Sequence, residues 1–123
     1  MILIDTHVFL WALRGEEKLG PDQRALLAAE AGRTFVSIAS LWGVEIKRGL
    51  GKLAAPDDLG EGVRLFGWRL LPITNSHTRA AGQLPRLHRD PFDRMLVAQS
   101  LTEGLPLMTR DETPLAYGID ARW

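Results

Sequence analysis

Short apolar runs alternate with longer amphipathic stretches along this chain, and most end at residues that cap or break helices. Ile2-Leu3-Ile4 is a continuous apolar run closed by Asp5, the pattern of a strand buried on both faces. Asp5 or Thr6 can cap the helix that follows, in which Val8, Leu10, Trp11, Ala12 and Leu13 give apolar density up to Gly15. Gly20-Pro21-Asp22 opens a second helix over 23–31, rich in Ala and Leu and closed by Gly32. Thr34-Phe35-Val36 predicts a second short buried strand. Ser37 then stands at an N-cap, and Ile38, Leu41, Trp42 and Ile46 mark one apolar face of a helix that ends near Gly49-Leu50-Gly51.

Pro56-Asp57-Asp58 starts a further helix through Leu65 and Phe66, weakened by Gly60, Gly62 and Gly67. Trp68-Arg69-Leu70-Leu71-Pro72-Ile73 reads as a third strand. Thr74 or Asn75 caps a helix over 78–83 that Pro85 terminates, and a basic loop, Arg86-Leu87-His88-Arg89, follows. Asp90-Pro91 is an N-cap with proline at the first helical position, opening a helix that carries Met95, Leu96, Ala98 and Leu101 before Gly104. Leu105-Pro106-Leu107-Met108-Thr109 predicts a fourth strand, with Pro106 at its start or on an edge, and 119–123 a short edge strand. Strands alternating with helices imply right-handed crossovers and a mainly parallel sheet covered on both faces, an α/β fold.

At 123 residues, 46% hydrophobic and 24% charged, the composition fits one soluble domain spanning 1–123. Fifteen basic residues balance fifteen acidic ones, so any nucleic-acid contact must be local rather than a product of bulk charge. The absence of cysteine excludes disulfides, thiolate metal sites and a Cys nucleophile, and fits a cytoplasmic location. The N-terminal stretch reaches a carboxylate at residue 5 without a basic leader segment, and no apolar run approaches the ~20 residues that span a bilayer. Neither a secretory leader nor a membrane partner is expected.

In open α/β sheets ligands collect beyond the carboxyl ends of the strands, and two of those ends carry acids, Asp5 and Asp111. Asp93, in the first turn of the helix after Asp90-Pro91, is placed to join them. Three converging carboxylates repel unless a cation neutralises them, and hard oxygen donors without Cys or paired His select Mg2+ or Mn2+. Asp at strand ends is also ordinary capping chemistry, the role assigned to Asp90. Gly51-Lys52 ends like a P-loop, but Ile46 stands where its first Gly belongs and Leu53 replaces Ser/Thr. His7, His77 and His88 show no paired metal spacing, and the four tryptophans read as core or interface anchors. Arg86, Arg89 and Arg94, around the acidic helix start, are candidates to meet phosphates.

Four segments together resemble the PIN-domain ribonucleases, and specifically the VapC toxins of bacterial toxin-antitoxin pairs. They are Ile2-Leu3-Ile4-Asp5-Thr6-His7; Ser37-Ile38-Ala39-Ser40-Leu41-Trp42 leading to Ile46-Lys47 and Leu50-Gly51-Lys52-Leu53; His88-Arg89-Asp90-Pro91-Phe92-Asp93-Arg94-Met95-Leu96; and Thr109-Arg110-Asp111. The resemblance implies a three-layer α/β/α fold and a Mg2+-dependent endoribonuclease, with Asp5, Asp93 and Asp111 catalytic and Asp5 and Asp93 the main metal ligands. It also implies that Thr6, Ser40 and Thr109 support them by hydrogen bonds and that Arg94 contacts the scissile phosphate or braces Asp93. The implied partners are RNA, a VapB-type antitoxin whose C-terminal segment occludes the acidic groove, a second copy of the chain, and operator DNA only through the antitoxin complex.

One position departs from the family pattern: the glutamate expected directly after Trp42 is Gly43. Glu45 is a poor substitute, because two residues along a helix turn a side chain by about 200°. A lost catalytic glutamate, natural or selected during cloning, is the consequence, and it keeps open a catalytically dead module that only binds antitoxin. A receiver-type phospho-acceptor domain is the other alternative, but it needs a Lys after a late strand, where Arg110 and Asp111 stand.

Overall fold

The computed structural model describes residues 1–123 apart from Pro56 and His88. In chain order its elements are β1 (Ile2–Ile4), α1 (Thr6–Arg14), α2 (Pro21–Ala29), β2 (Thr34–Ser37), α3 (Ile38–Gly49), α4 (Leu59–Leu65), β3 (Arg69–Leu71), α5 (Asn75–Gln83), α6 (Pro91–Glu103) and β4 (Leu107–Met108). A short 3-10 helix (Thr113–Tyr117) and β5 (Ala121–Arg122) complete it. The strands form one sheet in the order β3-β2-β1-β4-β5, and every neighbouring pair is parallel.

Alternation within the short strands divides the core in two. Ile2, Ile4, Val36 and Met108 face one side, against Val8, Phe9 and Leu10 of α1, Leu19, Val44 of α3, and Leu59 and Val63 of α4. Leu3, Leu71 and Leu107 face the other, against Leu96 and Val97 of α6, with Leu105 and Ile119. Both faces of the sheet are therefore covered, giving the three-layer α/β/α arrangement. Gly15 and Gly104 take left-handed φ values of 63° and 66° to end α1 and α6, a conformation glycine adopts without a Cβ penalty.

The expected apolar face of α3 is not the one that packs inward. Ile38, Trp42 and Ile46 are exposed and Leu41 is half-buried, whereas Ala39, Ser40 and Val44 are buried. The small residues at 39 and 40 face inward, leaving the large residues of α3 outside, where Trp42 meets the Phe92 ring edge-on at 5.3 Å. β3 and β4 are also shorter than expected. Pro106 precedes β4 and its carbonyl accepts the Leu3 N–H at 2.9 Å, so the donor it lacks is not needed there. α4 begins at Leu59 with Asp58 as its cap, and the Pro56 of the predicted helix start lies outside the described residues.

His77 is fully buried between α5 and α6. Its Nδ1 accepts the Thr74 N–H at 3.0 Å, so in the neutral ring the proton sits on Nε2, 2.7 Å from Glu103 Oε1. This satisfied pair pins α5 against α6, the helix that carries Asp93.

Candidate active site

The chain leaves β1 for β2 and β3 on one side and returns to place β4 on the other, so strand order reverses between β1 and β4. A crevice opens beyond the carboxyl ends of strands at such a reversal. Asp5 follows β1 there, Thr109 and Asp111 follow β4, and α6 brings Asp93 in its first turn. Asp5, Asp93, Asp111 and Thr109 line one cleft of about 40 Å3, closed by His7, Leu96, Leu107 and Pro114. The three acids named from sequence thus share a rim.

Asp5 is 8% exposed and does two structural tasks. Its Oδ1 caps α1 by accepting the Val8 N–H at 2.8 Å, and its Oδ2 accepts the Thr109 hydroxyl. Thr109 Oγ1 in turn accepts the Asp111 N–H at 3.1 Å, and Asp111 Oδ1 accepts the Thr113 N–H at 2.9 Å, so one relay of bonds runs from β1 to the turn after β4. Burial pushes the Asp5 carboxyl above its ordinary value of 3.8. The Thr109 and Val8 hydrogen bonds and the His7 charge pull it back, and the neighbouring Asp111 adds to the rise. Negative charge at Asp5 is therefore poorly solvated by the protein alone.

The other predicted residues fall into place unevenly. Thr6 donates its hydroxyl to Ser40 Oγ at 2.8 Å, tying the starts of α1 and α3 together beside the cleft. Asp90 caps α6, accepting the Phe92 N–H at 2.8 Å, and Gly51-Lys52 is a turn with Gly51 at φ 71°. Glu45 is held by Arg48 on the outer side of α3 and is not among the residues lining the cleft. A Cβ built on Gly43 would lie 3.5 Å from the ring of Phe92, the residue before Asp93. His7, set aside in the sequence reading, lines the cleft; its place two residues after the strand-ending Asp5 was the available signal. His88 lies outside the described residues.

Of the two roles expected of Arg94, the bracing of Asp93 is not what the structure shows. The Arg94 guanidinium donates from Nη1 to the Pro85 carbonyl at 2.8 Å, and from Nη2 to the carbonyls of Ala81 at 2.8 Å and Leu84 at 3.1 Å. These oxygens belong to the last turn of α5 and the two residues beyond it, which a fork of donors satisfies better than a single ammonium. Arg94→Ala is expected to cost about 1–3 kcal/mol of stability, and Arg94→Lys to recover only part of it, as thermal melts will check.

The donor chemistry of the cleft fits a hard divalent cation: carboxylates from three elements, no thiolate, and one acid whose charge burial leaves unsupported. The side chains are not drawn together in advance. Among the described residues no group of three or more His, Cys, Asp or Glu stands ready to hold a metal.

The family profile described as the PIN domain matches residues 2–118, nearly the whole chain. The chain belongs to the PIN-domain family. As a PIN domain it resembles solved structures across its length. A chain of the DNA-bound VapBC2 from Rickettsia felis superposes with a TM-score of 0.74 at 15% identity, covering 99% of this chain and 98% of that one. A chain of the DNA-bound VapBC from Salmonella typhimurium gives 0.74 at 18% identity, with 99% and 98% covered. A toxin-antitoxin complex from Klebsiella pneumoniae gives 0.72 at 14% identity, with 100% and 97% covered. No curated protein gives a significant sequence match. At these identities the likeness is one of fold, and this PIN domain's acids occupy the switch point of that fold.

Proposed function

We propose that this PIN domain is the toxin of a VapBC-type toxin-antitoxin pair, a Mg2+-dependent endoribonuclease that hydrolyses RNA phosphodiesters and is weakened by Gly43. The observation that carries the reading is the meeting of Asp5, Asp93 and Asp111 at one cleft where the strand order reverses. Asp5 and Asp93 would hold the cation and Asp111 would complete its surroundings; Mn2+ would serve as well. When bound, such a cation supplies positive charge against the phosphodiester and acidifies a water molecule. The chain's own contribution is orientation. Thr109 and the α1 N-terminus fix the Asp5 carboxylate, the Thr109–Asp111 bond fixes the turn after β4, and the Thr6–Ser40 bond holds α1 to α3.

Structures of similar fold are toxin-antitoxin complexes, two of them DNA-bound, which supports a VapB-type antitoxin as partner and operator contact through that complex. A homodimer and a cytoplasmic location complete the proposal; no described helix is long and apolar enough to cross a membrane. A second reading, an inactive module that binds antitoxin without cutting RNA, is favoured by Gly43 and by the engagement of Glu45 with Arg48. The experiment is cleavage of total RNA by the antitoxin-free chain with Mg2+ and with EDTA. EDTA-sensitive cutting that Asp93→Asn abolishes supports the nuclease; intact antitoxin binding with no cutting, even after glutamate is restored at 43, supports the module.

A further inference from the structure

A second cavity of about 630 Å3 is lined by Gly82, Arg86, Arg89 and Arg94, the last of these following Asp93 of the acidic cleft in the first turn of α6. Its charge is one-signed, since among the described residues no acid contributes to its lining. Elsewhere five of the nine other arginines are ion-paired among the described residues: Arg14 with Glu16, Arg33 with Glu30, Arg48 with Glu45, Arg64 with Glu61 and Arg122 with Asp120. Arg86 and Arg89 are exposed and, among the described residues, form no ion pair or side-chain hydrogen bond. Arg94 is the fixed floor of the cavity. Three of its five N–H donors satisfy the carbonyls that end α5, cancelling their negative field, and two donors remain.

We propose that Arg86, Arg89 and Arg94 form a phosphate-binding ledge that carries the backbone of single-stranded RNA next to its scissile bond. The proposal rests on the ribonuclease reading above and adds the place where the strand lies. A chain with no net charge cannot retain RNA by its overall field, so phosphate contacts must come from a local cationic cluster. Guanidinium groups suit phosphate because they donate in pairs. Position selects nucleic acid over an acidic peptide. Asp93 and Arg94 are consecutive, with their Cα atoms about 3.8 Å apart, so a strand cut at the acidic cleft has neighbouring phosphates within reach of this turn.

The test is binding of a fluorescent single-stranded RNA oligonucleotide to the full chain in EDTA, across a salt series, for the unaltered protein and Arg86→Ala/Arg89→Ala. Neither side chain is used in the fold, so the melting temperature should not change. The double variant is expected to bind about ten-fold more weakly at low salt, with a log–log salt slope shallower by about 1.4, two contacts at 0.7 each. Its Mn2+ binding at the acidic cleft should be intact. Equal affinity and slope for the two proteins overturn the ledge and leave the ribonuclease reading standing. No RNA binding by the unaltered chain at low salt overturns both. Polyglutamate that binds as tightly as RNA, with the same loss in the double variant, overturns the assignment to nucleic acid.

Discussion

Replacing Gly43 by glutamate is expected to raise Mg2+-dependent cleavage of single-stranded RNA by about 100-fold or more, the range in which a positioned acid–base group contributes. Position 43 lies inside α3, and a Cβ there would meet Phe92 at 3.5 Å, an ordinary van der Waals contact. The new side chain therefore starts without a clash, against the first turn of the helix that carries Asp93. Glycine in a helix interior is also unfavourable, so the substitution should stabilise the fold by about 0.5–1 kcal/mol. Gly43→Ala separates the two effects: it should show the stability gain without the gain in rate. Initial rates on a fluorogenic RNA, alongside thermal melts, measure both. A folded Gly43→Glu protein no faster than Gly43→Ala removes position 43 from the catalytic account.

Asp5→Asn should have opposite effects on stability and on cation response. Burial, the largest influence on Asp5, raises its pKa, so the folded chain holds that proton more tightly than the unfolded chain does. The contribution to stability is then most favourable in acid and is lost as pH rises from the ordinary value of 3.8 through the raised one. At neutral pH, without a divalent cation, the ionised carboxylate weakens the fold. Asparagine keeps an oxygen for the Val8 N–H and removes the charge. In EDTA at pH 7 the variant should melt a few degrees above the unaltered protein, and the difference should close towards pH 4. Adding Mg2+ at ten times its dissociation constant should stabilise the unaltered protein by about 1.4 kcal/mol and leave the variant unchanged and inactive. Scanning fluorimetry across pH, with EDTA and with Mg2+, measures each part; equal Mg2+ shifts in both proteins would remove Asp5 from the cation site.

Legibility in the sequence followed the locality of the signal. Ile2-Leu3-Ile4 and Thr34-Phe35-Val36 read as buried strands because both faces of the sheet are covered, and Asp90-Pro91 read as a helix start because its cap lies in the same few residues. The acids were readable for a similar reason: each sits at an element boundary, and the switch point of the sheet gathers those boundaries. The face of α3 differs from the apolar pattern because Ile38, Trp42 and Ile46 carry most of the hydrophobicity while the small residues Ala39 and Ser40, with Val44, are the ones buried, and apolar periodicity weighs the former. That Arg94 braces α5 and not Asp93 was hidden because its partners are carbonyls 9, 10 and 13 residues away. The burial of His77 depends on Glu103, 26 residues on, which no local pattern exposes.

The proposed nuclease needs Asp5, Asp93 and Asp111 to act as one cation-holding centre. Titration of Mn2+ into the cation-free chain, with free ion followed by electron paramagnetic resonance, tests this directly. The predicted result is a single site that Asp5→Asn and Asp93→Asn each abolish and that Gly43→Glu tightens. No bound Mn2+, or Mn2+ held equally well by the two asparagine variants, would contradict it.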